Sequence, residues 1–280
     1  MQGKLYLCAT PIGNLEDMTF RAVRTLKEAD LIAAEDTRNS IKLLNHYDIK
    51  TPMTSYHEHN KIEKARYLVD CIKEGTNVAL ITDAGTPGIS DPGEELVRMC
   101  IDEGIEVTSL PGAVACINAL TISGLPTRRF AFEAFLPTDK KKRQEIIDSL
   151  GEETRTIIIY EAPHHLVRTL EQLLEAVGDR EISLCRELTK RYETVYRDTI
   201  SGAIEYYRNN DPKGEFVLVI AGKSRDEIAR EKQAKWEEMS IEDHMEVYLS
   251  KGMPKKDAMK QVASDRGVSK RDIYSALNKD

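Results

Sequence analysis

Long apolar runs are missing from this 280-residue chain. None approaches the roughly 20 residues that a membrane-spanning helix needs, so no membrane association is expected. The opening stretch, Met1 to Leu7, lacks a charged segment, an apolar segment and a small-residue cleavage site in succession, so no secretory signal is expected. Cysteine is scarce. Cys8, Cys71, Cys100, Cys116 and Cys185 are odd in number and form no C-x-x-C. That argues against a disulfide framework and for free thiols in a reducing, cytoplasmic setting. Excess positive charge is also absent. Forty Lys+Arg against 47 Asp+Glu leave a formal charge of −7. Any nucleic-acid contact must therefore come from local patches. With 41% hydrophobic and 31% charged residues, the chain reads as an ordinary folded protein. Its length suggests about two domains at ~150 residues each.

What is present is alternation. Short apolar runs at Leu5–Ala9, Leu31–Ala34, Val78–Ile81 and Ile105–Leu110 read as strands. Helical periodicity is expected over Glu16–Ala29, 39–46, 60–75 and Glu94–Glu103, and Pro111-Gly112 is expected to open another helix. Such alternation predicts a mainly parallel sheet covered on both faces. Ligands bind at the carboxyl edge of these sheets. The unusual residues all fall there: Thr10–Asn14, Glu35–Arg38, Asp83–Gly88 and Pro111-Gly112 each follow a strand.

From about Leu125 the pattern changes. Phe130–Phe135, Thr156–Tyr160, Ile182–Cys185, Glu193–Thr199 and Glu215–Ala221 read as strands of a second α/β domain, mixed in direction. Residues 224–239 are mostly polar and read as an exposed helix or linker. Residues 240–280 form a small helical piece. Its segments Lys255–Asp265 and Lys270–Leu277, joined through Gly267 and a Ser269 N-cap, outline a helix-turn-helix. The expected division is 1–122, 123–224 and 225–280.

Each candidate site has a plain structural alternative. Thr10–Asn14 lacks the G-x-G-x-x-G of a dinucleotide site and is equally a tight strand-to-helix turn. The loop after Ile81 holds Gly85, Pro87, Gly88, Pro92 and Gly93, flanked by Asp83 and Asp91, and lacks the Lys-Ser/Thr of a P-loop. So much backbone control suits a neutral or cationic ligand read through main chain, such as an adenosyl sulfonium. Glu35-Asp36-Thr37-Arg38 offers paired carboxylates beside a cation, or simply a helix cap with a salt bridge. Glu187 and Lys190 form a second acid–base pair with the same ambiguity. His57 and His59 would share a face on a strand, and His164-His165 are adjacent. Without cysteine ligands or H-E-x-x-H, no metal is expected. Two runs are polyanion footprints or merely solvated helix faces: Lys140-Lys141-Lys142-Arg143, and residues 251–271, with seven Lys/Arg against two Asp.

Thr10–Leu15, Ala34–Arg38, Asp83–Gly93, Pro111-Gly112, Tyr160–His164 and Cys185–Lys190 together resemble the tetrapyrrole methylase (class III methyltransferase) family, over essentially the whole chain. Tetrapyrrole-modifying members usually carry Gly-Asp-Pro where this chain has Gly85-Thr86-Pro87. That departure points instead to the ribosomal-RNA-modifying branch. The resemblance implies two α/β domains with S-adenosylmethionine in the cleft between them, and a homodimer. It implies 2′-O-methylation of a cytidine in the decoding region of 16S ribosomal RNA, position 1402 in the usual bacterial numbering. It places the cofactor on loops containing Pro11 and Ile12, on Asp83, Ala84, Gly85, Thr86 and Ile89, on Pro111, Gly112, Ala113 and Val114, and near Ala162.

For the chemistry, Glu35, Asp36, Glu187 and Lys190 are the candidate bases, and Arg38 and Arg186 candidate phosphate holders. Sequence spacing does not rank them. Lys140, Lys141, Lys142 and Arg143, with Lys255, Lys256, Lys270 and Arg271, are the expected RNA contacts. The rival readings are a tetrapyrrole C-methylase and a non-enzymatic ligand sensor that binds nucleic acid.

Overall fold

The strongest apolar runs of the first half become neighbouring strands. In a computed structural model that describes residues 2–278, these are β1 (Leu5–Cys8), β2 (Leu31–Ala34), β3 (Met53–Ser55), β4 (Val78–Ile81) and β5 (Val107–Leu110). They pair in the order β3-β2-β4-β1-β5, and every pairing is parallel. The crossovers are α1 (Phe20–Glu28), α2 (Thr37–His46), α3 (Lys61–Lys73) and α4 (Gly93–Asp102), followed by α5 (Ala115–Ser123). Alternation within each strand sorts the core. Leu5, Leu7 and Leu80 pack with α3 and α4, whereas Cys8, Ile32 and Ile81 pack with α1 and α2. All four residues of β4 are at most 2% exposed, and each Leu or Ile buried this way stabilises by about 1.5–3 kcal/mol.

The second half forms another five-stranded sheet: β6 (Phe130–Phe135), β7 (Thr156–Glu161), β8 (Glu181–Arg186), β9 (Thr194–Thr199) and β10 (Phe216–Ile220). Its order is β6-β7-β10-β8-β9, with β6 parallel to β7 and the other pairings antiparallel. Helices α6 (Lys140–Ser149), α7 (Leu166–Val177) and α8 (Ile200–Asn209) cover one face. The other face packs on α5 through Cys116, Ala119 and Leu120 against Ile158, Cys185, Val217 and Val219. A helix belonging to the first sheet's chain segment thus closes the second sheet. The strand ends of both halves meet around it, within one compact unit, Met1–Ala221.

Gly222–Asp280 is a second unit. It contains α9 (Arg225–Glu237), α10 (Ile241–Leu249), α11 (Lys255–Asp265) and α12 (Lys270–Leu277). Its small core is Met245, Ala258, Val262, Ala263 and Ile273. A reciprocal capping box between Ser269 and Asp272 starts α12.

Three expectations are corrected. The helix expected over Glu16–Ala29 is broken. Asn14 caps a short 3-10 turn at Leu15–Asp17, Met18 is extended, and the Thr19 hydroxyl, accepting from the Ala22 N–H at 3.1 Å, starts α1 afresh. The helix expected from Pro111 begins only at Ala115, because Val114 is extended. His57 and His59 lie not on a strand but in the turn after β3, a strand whose short Met-Thr-Ser sequence gave no signal.

Candidate active site

The carboxyl ends of β1, β2 and β4 face the second sheet across a cavity of about 220 Å³. The loop after β4 is its principal wall. Thr10 and Gly85 exchange backbone hydrogen bonds, Thr10 N to Gly85 O at 2.9 Å and Gly85 N to Thr10 O at 3.1 Å. The Thr10 hydroxyl donates to the Thr82 carbonyl at 3.0 Å, and the Thr86 hydroxyl to the Ala113 carbonyl at 3.0 Å. These bonds tie three loops together. Gly85 has φ +88°, and a Cβ there would meet Ile12 at 3.3 Å and the Ala113 carbonyl at 3.4 Å. Only glycine suits that backbone and that approach. The Asp91 carboxylate accepts from the N–H groups of Gly88, Ile89 and Gly93 at 2.7–3.2 Å, so it fixes the loop.

The opposite wall comes from the second sheet. After β8 the chain turns through Glu187 (φ 51°) and Thr189 (φ 65°). Lys190 Nζ lies 2.9 Å from Glu187 Oε1 and 2.8 Å from Glu215 Oε2. Glu187 Oε1 also accepts from the Glu215 N–H at 2.9 Å. Burial acts to push the Lys190 pKa down, but the two carboxylates outweigh it and hold the ammonium above its ordinary value. Burial acts to raise the Glu187 pKa, and the Glu215 N–H and Lys190 reverse it, leaving the carboxyl below its usual range. Gly13 makes room for this cluster: a Cβ there would stand 2.4 Å from Lys190 Cγ.

Glu35 and Asp83 close the floor. Glu35 Oε2 accepts from the Thr82 hydroxyl at 2.6 Å. Asp83 Oδ1 accepts from the Asp36 N–H at 3.2 Å. Partial burial first, and the neighbouring Glu35 second, push the Asp83 carboxyl above its ordinary value. Asp36 follows the capping alternative. It caps α2, accepts from the Arg38 N–H at 2.8 Å and pairs with the Arg38 guanidinium at 2.7 and 3.1 Å, which lowers its pKa to about 2.

The cavity therefore gathers Ile12, Asp83, Ala84, Gly85, Thr86, Ile89 and Val114 of the expected cofactor residues, and Glu35, Glu187 and Lys190 of the expected catalytic ones. Pro11, Pro111, Gly112, Ala113, Ala162, Asp36 and Arg38 do not line it. Ala162 instead donates its N–H to Glu161 Oε1 at 2.8 Å. Arg186 turns away to the Lys213 carbonyl, with Nε at 2.5 Å from it. Five carboxylates (Glu35, Asp83, Asp91, Glu187, Glu215) and one ammonium line the opening, a balance suited to a cation.

Sequence reasoning missed Glu215, Phe135 and Tyr160, which also line it. Glu215 had no local signal beyond the start of a strand. Tyr160 accepts from the Cys116 N–H at 3.1 Å and so links the second sheet to α5.

Of the basic residues, Lys140, Lys141 and Lys142 are exposed, as are Lys255, Lys256, Lys270 and Arg271. Arg143 is a correction. It is buried, donates to Gln172 Oε1 at 2.9 Å and to the Thr169 hydroxyl at 2.5 Å, and lies 3.5 Å from the buried Glu161 carboxylate. A guanidinium enclosed this way is not available to a phosphate. Among the described residues no group of three His, Cys, Asp or Glu gathers as a metal site.

The profile of the tetrapyrrole (corrin/porphyrin) methylases matches residues 4–204. The chain belongs to the tetrapyrrole methylase family. Within the family, a protein of Halalkalibacterium halodurans named ribosomal RNA small subunit methyltransferase I is 51% identical over 100% of this chain and 96% of its own. A Bacillus subtilis protein of the same name is 48% identical over 99% and 94%. Among solved tetrapyrrole methylase folds, uroporphyrin-III C-methyltransferase from Thermus thermophilus, complexed with S-adenyl homocysteine, aligns with TM-score 0.55 and 20% identity over 78% of this chain and 97% of its own.

Proposed function

We propose that this tetrapyrrole methylase uses S-adenosylmethionine to methylate the ribose 2′-oxygen of a cytidine in the decoding region of 16S ribosomal RNA, position 1402 in the usual bacterial numbering. The observation that carries the reading is one cavity in which the Asp83–Asp91 loop faces the Glu187–Lys190–Glu215 cluster. The relatives' name supports the RNA substrate, and the neighbour holding S-adenyl homocysteine supports the donor. The residues fit such a cofactor. Left-handed Gly85 brings bare main chain to the wall, Ile12 and Val114 supply apolar contact, and the carboxylates favour a cation.

S-adenosylmethionine supplies a methyl group already activated on a positively charged sulfur. The chain's own tasks are placement and proton removal. Lys190, held protonated by Glu187 and Glu215, orients groups and balances their charge; it does not take a proton. Asp36 is bound to Arg38 and its low pKa makes it a poor base. We assign the proton to Asp83, which lines the cavity and whose surroundings raise its affinity for one. Glu35, tied to Thr82, keeps it there. Arg38, with a largely exposed side chain, and the exposed lysines of α6, α11 and α12 hold RNA phosphates. The assembly this reading carries is a cytoplasmic homodimer, which sedimentation of the purified protein checks.

Tritiated-methyl transfer is measured on small ribosomal subunits, naked 16S RNA and a porphyrinogen. The expected result is label in the RNA, recovered as an alkali-resistant dinucleotide. Label in the porphyrinogen alone, or in none, overturns the reading. Asp83→Asn is expected to lower kcat at least about 100-fold, a larger loss than any it causes in S-adenosylhomocysteine affinity. Wild-type turnover should fall as pH drops through the raised Asp83 pKa, because a carboxyl already protonated cannot take the hydroxyl proton. Near-normal turnover of Asp83→Asn removes Asp83 from this role.

A further inference from the structure

Phe135 is a large apolar side chain that is 58% exposed and yet lines the cavity. Its position results from an extra residue in β6. Phe132 pairs with Ile158, and Phe135 pairs with Tyr160, so three steps along β6 match two along β7. The surplus is absorbed by a bulge in which Ala134 takes φ 53°. Had β6 continued in unbroken register from Phe132, Ala134 would face Tyr160 and Phe135 would face Glu161, whose carboxylate bonds Thr169 of α7 on the opposite side of the sheet. The bulge transfers the ring from the α7 face to the cavity face.

Once there, the ring is buttressed. Its centroid lies 5.4 Å from that of Tyr160 with the planes at 60°, and Phe132 supports Tyr160 from 5.0 Å. Tyr160 is itself pinned by the Cys116 N–H. A bulge, a left-handed alanine and two supporting aromatic rings thus present one phenyl group at the cavity wall with much of its surface open. A flat, rigid apolar surface of that kind accepts another flat ring.

We propose that Phe135 is the stacking platform for the base of the target nucleotide. The proposal rests on the RNA methyltransferase reading above and identifies how that substrate is held. The glycine loop suited to the cofactor belongs to the first sheet, whereas Phe135 stands on the second, with Glu187, Lys190 and Glu215. A nucleotide whose sugar oxygen reaches this acidic cavity has left its own stack, and an aromatic ring of the protein replaces the lost neighbour. The carboxylates keep phosphates out of the opening, so only sugar and base enter.

The test uses the full-length protein with small ribosomal subunits. Phe135→Ala is expected to lower kcat/KM for RNA by about 5- to 150-fold, the range for losing one base–aromatic stack. S-adenosylhomocysteine affinity, read by calorimetry, should stay at the wild-type value. Phe135→Tyr should restore transfer, and Phe135→Leu, apolar but not flat, should not. Three results overturn the proposal: unchanged kcat/KM in Phe135→Ala, full activity in Phe135→Leu, or weakened cofactor binding parallel to the RNA defect. The last would place the ring on the cofactor's adenine. A wild-type protein that transfers nothing to RNA would instead remove the reading on which the proposal rests, taking the proposal with it.

Discussion

Ala134 and Arg143 show how much a single residue's surroundings decide. A left-handed backbone costs a non-glycine residue about 1–2 kcal/mol, and Ala134 bears that cost at φ 53°. Ala134→Gly is therefore expected to stabilise the protein by about 0.5–1 kcal/mol, less than the full relief because glycine gains freedom in the unfolded chain. Urea unfolding checks the sign; a destabilised variant would mean that the methyl group packs usefully in the bulge. Arg143 illustrates a misread run. Lys140-Lys141-Lys142-Arg143 looks uniform, but Arg143, Ile147 and Leu150 recur at helical spacing and are all buried. The phase was present in the sequence; four consecutive cations concealed it. Burial gives Arg143 a different task, holding Glu161 at the start of the loop that contains Ala162.

At the scale of elements, α10 carries a built-in sensitivity to acid. His244 is fully buried, and Trp236 stacks on it with ring centroids 3.9 Å apart and planes at 5°. Arg266 Nε donates to His244 Nδ1 at 3.1 Å, so that nitrogen holds a lone pair. Burial first and the Arg266 charge second lower the imidazole pKa, and Asp265, 3.3 Å from Nε2, only partly opposes them. The sign follows. Below a pH of about 6.5 the unfolded histidine binds a proton that the folded one refuses, so stability falls with pH until the folded pKa is reached. The slope is at most about 1.4 kcal/mol per pH unit. Trp236 is the single tryptophan, so its fluorescence reports this unit in the intact chain. The urea midpoint of that signal should drop between neutral pH and pH 5. In His244→Gln that drop should shrink; an equal drop in the variant would assign the effect to other groups.

The whole molecule is acidic, so the RNA binding proposed above requires placed charge. Lys255, Lys256, Lys270 and Arg271 are exposed on α11 and α12. Replacing all four with Ala should weaken RNA binding and reduce the slope of log K against log salt by up to about 3, at about 0.7 per phosphate contact on single strands. Cofactor binding should not change. An unaltered slope would show that these four side chains make no phosphate contacts. The same scale explains the cavity. Its wall and floor come from loops that are distant in sequence, after β2, β4 and β8, and they meet because α5 closes the second sheet.

The amino-acid sequence alone made the alternation of strands and helices legible, because apolar periodicity reports burial locally. It determined the parallel first sheet, the mixed second one and the helix-turn-helix outline. It also marked loops that line the cavity, since glycine, proline and acid crowd together where backbone must be shaped. Which charged groups are free to act was set instead by packing between distant elements. Lys190 is held charged by Glu215, 25 positions away, Arg143 is enclosed by α7, and Phe135 reaches the cavity through one extra residue in its strand. Those outcomes depend on distances between elements and on strand register. A short stretch of sequence encodes neither, because both are set by the packing of one sheet against the other.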